Sequence, residues 1–309
     1  MTGVTPAPVV PPFGLLLDVD GPVASPVTRT VSAPGLLDSL LELLAAGVPV
    51  VFNTGRSDHF LRQNVVAPLL AAGLPAASRL HAVCEKGAVH FSITADGAGP
   101  LHVDADLAVP PAAVEALESM ARRDFADTMF VDPGKHAMVS IEQRLEVPSA
   151  DYLAAQERFD AAAVEIMAGL GMGVERRGER RPDAAGRVGW RVDPTIISTD
   201  VESVLLGKDR GAETALRLLA ADGPLPAAWR TAGDSRTDYA MADWLHAQGY
   251  AVAHVDVRPA DGVPDTPYPV LASWNSVHDE AGAAWLARLA AVVRGEAADD
   301  AGFDEHLVA

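Results

Sequence analysis

Short apolar runs that end in polar residues mark the beginning of the chain. Residues Gly14 to Asp18 form such a run, which predicts a buried parallel strand with Asp18 at its carboxyl end. Residues Val48 to Phe52 repeat the pattern. Between them, the apolar spacing of Leu36 to Ala46 predicts a helix, and Gly47 is placed to end it. We therefore predict a strand, a helix and a second parallel strand in a right-handed crossover.

The same alternation returns near the end of the chain. Helices are predicted at Gly211 to Ala221 and Tyr239 to Gln248, and strands at Trp229 to Ala232 and Ala251 to Val257. The two ends of the chain thus read as halves of one sheet. We predict the α/β class, with a doubly wound, Rossmann-like parallel sheet as the core.

The middle of the chain has a different pattern. It predicts a hairpin at Val89 to Val103 and helices at Pro111 to Phe125 and Asp151 to Leu170. Two further strands are predicted at Met138 to Glu142 and Gly189 to Ile197. This is the pattern of a smaller inserted α+β domain. We predict a core from residues 1 to 90 and 205 to 309, and an insertion from residues 91 to 204.

Composition and charge narrow the possible partners. The 309 residues carry a formal net charge of -18, and such an acidic surface repels nucleic acid and anionic membranes. A small anionic substrate stays compatible, because a metal ion and a few local cations can override the field inside a cleft. The single cysteine, Cys84, precludes an internal disulfide, and the N-terminal apolar run lacks a basic segment. We expect a cytoplasmic protein; the sequence does not specify its oligomeric state.

Four polar clusters stand at the ends of predicted strands or the starts of predicted helices. They are Asp18-Val19-Asp20-Gly21, Thr54-Gly55-Arg56, Lys208 with Gly211, and Gly233 to Asp238. Each taken alone has a structural explanation as a turn, a helix cap or a surface charge. Their joint occurrence at places where open α/β sheets bind ligands favours a catalytic site.

The order and chemistry of these clusters resemble the four motifs of the haloacid dehalogenase-like hydrolase superfamily. The first two motifs and the stretch Cys84 to Ala88 look like its Cof-type and sugar-phosphatase branches, which carry an α+β cap between the second and third motifs. Two positions depart from the pattern. Pro22 replaces the usual threonine, and Gly211 follows Lys208 after two intervening residues instead of directly.

Phosphoryl transfer needs an oxygen nucleophile, cations and a proton for the leaving oxygen, and the clusters provide each of these. Asp18 is the expected nucleophile, and Asp20 is the expected general acid and base. Lys208 is expected to balance the charge of Asp18 and phosphate. Thr54, with the backbone at Gly55, is expected to hydrogen-bond the phosphoryl oxygens.

Magnesium is the expected cofactor, because hard oxygen ligands suit it and clustered aspartates would otherwise repel one another. The resemblance implies that Asp18 and Asp234 are direct ligands. It also implies that Asp20 binds through its backbone carbonyl, and that Asp238 binds directly or through water.

Substrate contacts are less specified. Arg56 is expected to bind a substrate phosphate or to pair with a neighbouring acid, and both options stay open here. Lys135 and Glu142 lie around a predicted cap hairpin and are candidate substrate-binding residues. The arginine-rich segment from Arg176 to Arg191 contains interspersed acids, which favours a solvated loop.

The predicted function is a magnesium-dependent phosphatase for a small phosphorylated metabolite, with a sugar phosphate favoured by the resemblance. A phosphosugar mutase of related architecture is one alternative, and it would need a bisphosphate activator. A non-catalytic phosphometabolite-binding protein is the other. The presence of Asp18, Asp20, Lys208 and Asp234 together argues against a mere binder.

Overall fold

The structure is a computed structural model that describes residues 10–272 and 275–300. The chain divides into two compact units. The larger runs through His102 and resumes at Gly207, and the smaller comprises Val103–Leu206. The sequence-based boundaries, after residue 90 and before residue 205, stay a prediction. The assignment of the smaller unit as a cap stays a prediction.

The described residues form strands and helices that are numbered here in chain order. The strands are β1 Gly14–Leu17, β2 Val50–Asn53, β3 Leu80–Cys84, β4 Val89–Thr94, β5 Gly97–Ala98, β6 His102–Val103, β7 Met129–Val131, β8 Val139–Gln143, β9 Val174–Arg176, β10 Glu179–Arg181, β11 Trp190–Pro194, β12 Ser198–Ser203, β13 Ala228–Gly233, β14 Ala251–Asp256 and β15 Val270–Ala272. The α-helices are α1 Leu36–Ala45, α2 Asp58–Leu61, α3 Ala67–Ala71, α4 Pro111–Asp124, α5 Ser149–Gly169, α6 Lys208–Asp222, α7 Tyr239–Ala247 and α8 His278–Val293. A π-helical turn, Arg62–Val66, joins α2 to α3.

The larger unit is built on a nine-stranded sheet with the order β15-β14-β13-β1-β2-β3-β4-β5, and β6 also pairs with β4. The six strands from β15 to β3 in this order run parallel, whereas β4 pairs antiparallel with both β3 and β5. The first and last parts of the chain thus meet where β1 pairs with β13. This arrangement confirms the predicted α/β class with a parallel core sheet.

Burial explains why the central strands read as continuous apolar runs. Every residue of β1 and β2 is buried, as expected for parallel strands that are covered on both faces. Leu16, Val51 and Val83 pack with apolar residues of α6 and α7 in one cluster. Helix α1 packs against α8. The carboxyl ends of β1, β2 and β13 are thereby fixed next to one another.

The smaller unit contains a six-stranded sheet with the order β10-β9-β11-β12-β8-β7. All neighbouring strands are antiparallel except β9 and β11. Helices α4 and α5 pack on this sheet through a cluster that includes Leu117, Tyr152, Phe159 and Val201. The unit therefore has its own hydrophobic core, as an α+β domain requires.

The smaller unit corrects one sequence-based expectation. The arginine-rich segment is a solvated loop only in part: residues 182–189 lie outside any strand and are mostly exposed, whereas β9 and β10 form a hairpin at its start. Its arginines pair with acids: Arg176 with Glu157 and Asp160, Arg177 with Glu157, Arg180 with Glu175, Arg181 with Glu165, Arg187 with Asp183, and Arg191 with Glu202. Three of these acids, Glu157, Asp160 and Glu165, lie on α5, so the hairpin is paired mainly with that helix.

Among the described residues, no helix combines the length and the apolar character needed to span a bilayer.

Candidate active site

Asp18 directly follows β1 and therefore lies at the carboxyl end of this strand. Its backbone N–H donates to the carbonyl of Ala232 at 2.9 Å, which continues the pairing of β1 with β13 by one residue. The N–H of Val19 donates to Asp18 Oδ1 at 2.7 Å. The side chain is almost fully buried. One carboxylate oxygen is therefore held in place by the chain itself.

Asp234 and Asp238 lie in the loop that follows β13. Three donors of this loop, the N–H groups of Asp234 and Ser235 and the Ser235 hydroxyl, converge on Asp238 Oδ2 at 3.2, 3.0 and 2.8 Å. A Cβ at Gly233 would lie 2.2 Å from the Cβ of Asp238. Only glycine at position 233 leaves room for the Asp238 side chain to pack against the backbone there.

Gly21 brings the loops after β1 and β13 together. Its φ is +91°, and a Cβ there would lie 2.6 Å from the Cβ of Asp234. Both the left-handed backbone and the close approach require glycine. The third residue after Asp18 in sequence therefore lies against Asp234, which places the two aspartates at one site.

Lys208 is buried at the first turn of α6 and joins the two carboxylate groups. Its Nζ lies 2.7 Å from Asp18 Oδ1 and 2.7 Å from Asp238 Oδ1. Burial acts to lower the pKa of Lys208, but Asp18 and Asp238 outweigh it and raise the pKa above its ordinary value. The lysine is therefore a fixed positive charge at neutral pH.

One lysine does not neutralise three carboxylates. Burial raises the pKa of Asp234 to about 6, and the neighbouring Asp238 adds to this shift. Burial also raises the pKa of Asp18 well above its ordinary value, because the opposing effect of Lys208 is smaller. For Asp238, Lys208 overcomes burial, and the pKa falls below its ordinary value. Without another cation, the cluster retains protons that free aspartates would lose.

The same three side chains fit a divalent cation. Carboxylate oxygens of Asp18, Asp234 and Asp238 lie within 4.8 Å of one another. A hard cation among them would take the place of the retained protons, and carboxylate oxygens are the donors that Mg²⁺ prefers. The donor set and its charge deficit thus fit the expected metal.

Asp20 points its carboxylate to Arg56. Arg56 Nε donates to Asp20 Oδ2, and Arg56 Nη2 donates to Asp20 Oδ1, both at 2.8 Å. Such a bidentate pair has a fixed, planar geometry. Of the two options that the sequence left open for Arg56, the structure displays the pair with a neighbouring acid. The carboxylate of Asp20 is outside the three-aspartate cluster.

Thr54 and Gly55 form the loop after β2. Thr54 is buried, and its Oγ1 accepts a hydrogen bond from the N–H of Arg56 at 3.1 Å. The N–H of Lys86 donates to the Thr54 carbonyl at 3.1 Å, in a turn where Lys86 has a φ of +54°. Non-glycine residues rarely adopt this backbone, and such strain concentrates at functional sites. The turn after β3 thus holds the Thr54 loop through this hydrogen bond.

Lys135 and Glu142 belong to the smaller unit. Glu142 lies on β8, where it pairs with Phe130 of β7, and Lys135 lies in the connection between these two strands. The predicted hairpin around them is therefore present. Their assignment as substrate-binding residues stays a prediction.

Two polar residues near the aspartates were not among the predicted site residues. Asn53 is fully buried at the end of β2 and contacts Lys208 twice, through its backbone carbonyl at 2.9 Å and its side-chain amide at 2.8 Å. Its position directly before Thr54 was an available signal. His278, at the start of α8, places Nδ1 3.5 Å from Asp234 Oδ2. No local pattern marks His278, since only the fold brings α8 to this loop.

Comparison with solved structures identifies the fold. The chain is similar to a trehalose-6-phosphate phosphatase from Aspergillus fumigatus, with 16% identity, a TM-score of 0.52, and coverage of 91% of this chain and 93% of the other. It is also similar to a haloacid dehalogenase-like hydrolase from Bacteroides thetaiotaomicron, with 12% identity, a TM-score of 0.53, and coverage of 92% and 99%.

A third similar structure is the sucrose-phosphatase from Synechocystis in complex with sucrose and phosphate, with 15% identity, a TM-score of 0.50, and coverage of 87% and 94%. No family model matches the chain, and neither does any curated protein. These likenesses, taken with the parallel core sheet, show that the chain has the haloacid dehalogenase-like fold. At these identities they establish the fold alone.

Proposed function

We propose that the protein is a Mg²⁺-dependent phosphatase that hydrolyses a small phosphorylated metabolite through an aspartyl-phosphate on Asp18. The observation that carries this proposal is the joint geometry of three aspartates and one lysine at adjacent strand ends. A buried carboxylate that is held by a lysine and accompanied by two further carboxylates is suited to receive a phosphoryl group beside a metal ion.

In the first step, an oxygen of Asp18 attacks phosphorus and the bond from phosphorus to the leaving oxygen breaks. Lys208 and the N–H of Val19 both contact Oδ1 of Asp18, so we assign the attack to Oδ2. The two contacts hold the carboxylate plane while the other oxygen reacts. Magnesium, when bound by Asp18, Asp234, Asp238 and the Asp20 carbonyl, supplies charge neutralisation for the phosphoryl oxygens.

Asp20 is the proposed proton carrier. It gives a proton to the leaving oxygen in the first step and takes one from the attacking water in the second, which restores the Asp18 carboxylate and releases phosphate. In the structure both Asp20 oxygens are bound by Arg56. Asp20 must therefore turn away from Arg56 before it can act, and this rearrangement belongs to the catalytic cycle.

Thr54 and the Gly55 backbone complete the proposed phosphate site. Arg56 is a further candidate for contact with substrate once it releases Asp20, and Lys135 and Glu142 are candidates on the smaller unit. Closure of the smaller unit as a cap would exclude water and select the leaving group. The cytoplasm is the location that we propose.

A sugar phosphate is the proposed substrate class. Two structurally similar proteins are a trehalose-6-phosphate phosphatase and a sucrose-phosphatase, which supports this choice. The three aspartates and Lys208 are shared requirements of a phosphatase and a phosphosugar mutase, so the mutase is the second candidate. A mutase returns the phosphoryl group to sugar, whereas a phosphatase passes it to water.

The test is a panel of sugar phosphates, nucleotides and aryl phosphates, with release of inorganic phosphate measured with and without Mg²⁺. We expect Mg²⁺-dependent release that is fastest with one or a few sugar phosphates. Release that appears only with a sugar bisphosphate activator, together with an isomerised sugar phosphate, would assign the mutase. Binding of sugar phosphates without any turnover would assign a non-catalytic binder.

A further inference from the structure

The ammonium group of Lys208 is held by three acceptors at the base of the site. Besides Asp18 Oδ1 and Asp238 Oδ1, each at 2.7 Å, the third is the backbone carbonyl of Asn53 at 2.9 Å. Lysine side chains have four rotatable bonds and lose much conformational entropy when they are fixed. The position of the charge therefore depends on how firmly the start of α6 is held against β2.

The side chain of Asn53 holds the start of α6. Its Nδ2 donates to the backbone carbonyl of Lys208 at 2.8 Å, and the asparagine is fully buried. Asn53 thus contacts both ends of one lysine that follows it by 155 residues. The side-chain amide of Asn53 binds the backbone of Lys208, and the backbone carbonyl of Asn53 binds the Lys208 ammonium.

The space for the Asn53 amide exists because position 211 is glycine. A Cβ at Gly211 would lie 1.9 Å from Asn53 Oδ1, so any other residue would force the amide or the helix to move. In this chain two residues separate Lys208 from Gly211, and this spacing places Gly211 one helical turn after Gly207, whose carbonyl accepts from the Gly211 N–H at 3.0 Å. Gly211 thus provides the space into which the Asn53 side chain packs.

We propose that Asn53 is a positioning residue that fixes Lys208 relative to Asp18, with Gly211 as its packing partner. This inference rests on the proposed function for its effect on catalysis, but the placement of Lys208 can be measured independently. In Asn53→Ala the backbone carbonyl remains, whereas the tether on the helix start is lost. Misplacement of a catalytic group by about 1 Å costs on the order of 100-fold in rate.

Three variants separate positioning from stability. Asn53→Ala removes the tether. Asn53→Ala combined with Gly211→Ala fills the vacated space and favours the helix, so it should regain thermal stability without restoring the hydrogen bond. The matched control is Arg79→Ala. Arg79 donates to the carbonyls of Leu219, Gly223 and Pro224 at the opposite end of the same helix, at 2.6, 3.2 and 2.9 Å.

For each variant, kcat and KM are measured on para-nitrophenyl phosphate with Mg²⁺, the melting temperature is determined, and a crystal structure of Asn53→Ala is solved. We expect kcat of Asn53→Ala to fall about 10- to 100-fold with KM changed less than threefold. The double variant should regain melting temperature but not kcat, and Arg79→Ala should lose melting temperature but keep kcat. In the crystal structure, Lys208 Nζ should move away from Asp18 Oδ1.

Three results would overturn the inference. The first is an unchanged kcat in Asn53→Ala, and the second is a recovery of kcat in the double variant. The third is a loss of kcat in Arg79→Ala equal to that in Asn53→Ala when both variants lose the same melting temperature. If the wild-type protein hydrolyses no phosphate ester, the proposed function fails. The distance from Lys208 Nζ to Asp18 in the Asn53→Ala crystal structure would still test the tether, and an unmoved lysine would refute it.

Discussion

Replacement of Lys208 by methionine removes the positive charge of the site while keeping most of the side-chain volume. In the wild type this charge lies 2.7 Å from each of two buried carboxylate oxygens. Removal of one partner from a buried ion pair costs about 3–5 kcal/mol, because the remaining charge is left uncompensated. We expect the free energy of unfolding to fall by this amount at pH 8 in the absence of metal.

The loss should depend on pH in a direction set by the aspartates. The pKa of Asp238 lies below its ordinary value because Lys208 outweighs burial, so in the wild type this pairing stabilises the fold at both pH values and is lost only as pH falls through the lowered pKa. The pKa of Asp18 is raised, mainly by burial, so Asp18 can bind a proton when the lysine is absent. Lys208 itself stays charged from pH 5 to pH 8, since its pKa is raised. The variant should therefore lose less stability at pH 5 than at pH 8.

The assay is thermal unfolding in excess chelator at both pH values. In domains of 150–250 residues, 1 kcal/mol corresponds to about 2–4 °C, so the melting temperature should fall by roughly 6–20 °C at pH 8. The matched control is the double variant Lys208→Met with Asp18→Asn, in which one uncompensated carboxylate is also removed. It should be more stable than Lys208→Met alone. A single variant as stable as the wild type at pH 8 would refute the view that this lysine neutralises the cluster.

Three further predictions concern Asp20, the metal and its pH dependence. Asp20→Asn should slow turnover by about 10²- to 10⁴-fold on a sugar phosphate and by less on an aryl phosphate, because a good leaving group needs no acid; equal losses on both would exclude Asp20 as the acid. Chelator should abolish turnover, Mg²⁺ should restore it, and Ca²⁺ should support it poorly because of its looser coordination; full turnover in excess chelator would contradict this. Burial raises the pKa of Asp234 to about 6, so its ionisation lowers the stability of the metal-free fold as pH rises through that value. Mg²⁺ should therefore raise the melting temperature more at pH 8 than at pH 5. An equal rise at both pH values would contradict the placement of the cation beside Asp234.

Topology explains why so much of the site could be predicted from the sequence. Parallel strands end at the same edge of a sheet, so the strand-ending positions of Asp18, Thr54 and Asp234 place them at one edge. The start of α6 brings Lys208 to the same place. The pattern of apolar runs was sufficient for this, because buried parallel strands are continuous in hydrophobicity. The parallel core sheet is accordingly confirmed.

The features that were not predicted depend on long-range contacts. The link from Asn53 to Lys208 joins residues 155 positions apart, and the polarity of an asparagine at a strand end does not reveal its partner. Strands β9 and β10 are only three residues each and rich in charge, so their pattern resembles a loop. The pairing of Arg56 with Asp20 could not be predicted from spacing, because the two residues are 36 positions apart and lie on different loops.

The most direct test of the account is detection of the covalent intermediate. Asp20→Asn enzyme, mixed with Mg²⁺ and an aryl phosphate and quenched in acid, should carry a phosphoryl group, because its second step lacks the base that activates water. Peptide mapping by mass spectrometry should place this adduct on Asp18. The same experiment with Asp18→Asn, which should remain folded and inactive, should yield no adduct. Turnover in the Asp18→Asn variant within tenfold of the wild type, or an adduct on any residue other than Asp18, would contradict the proposed mechanism.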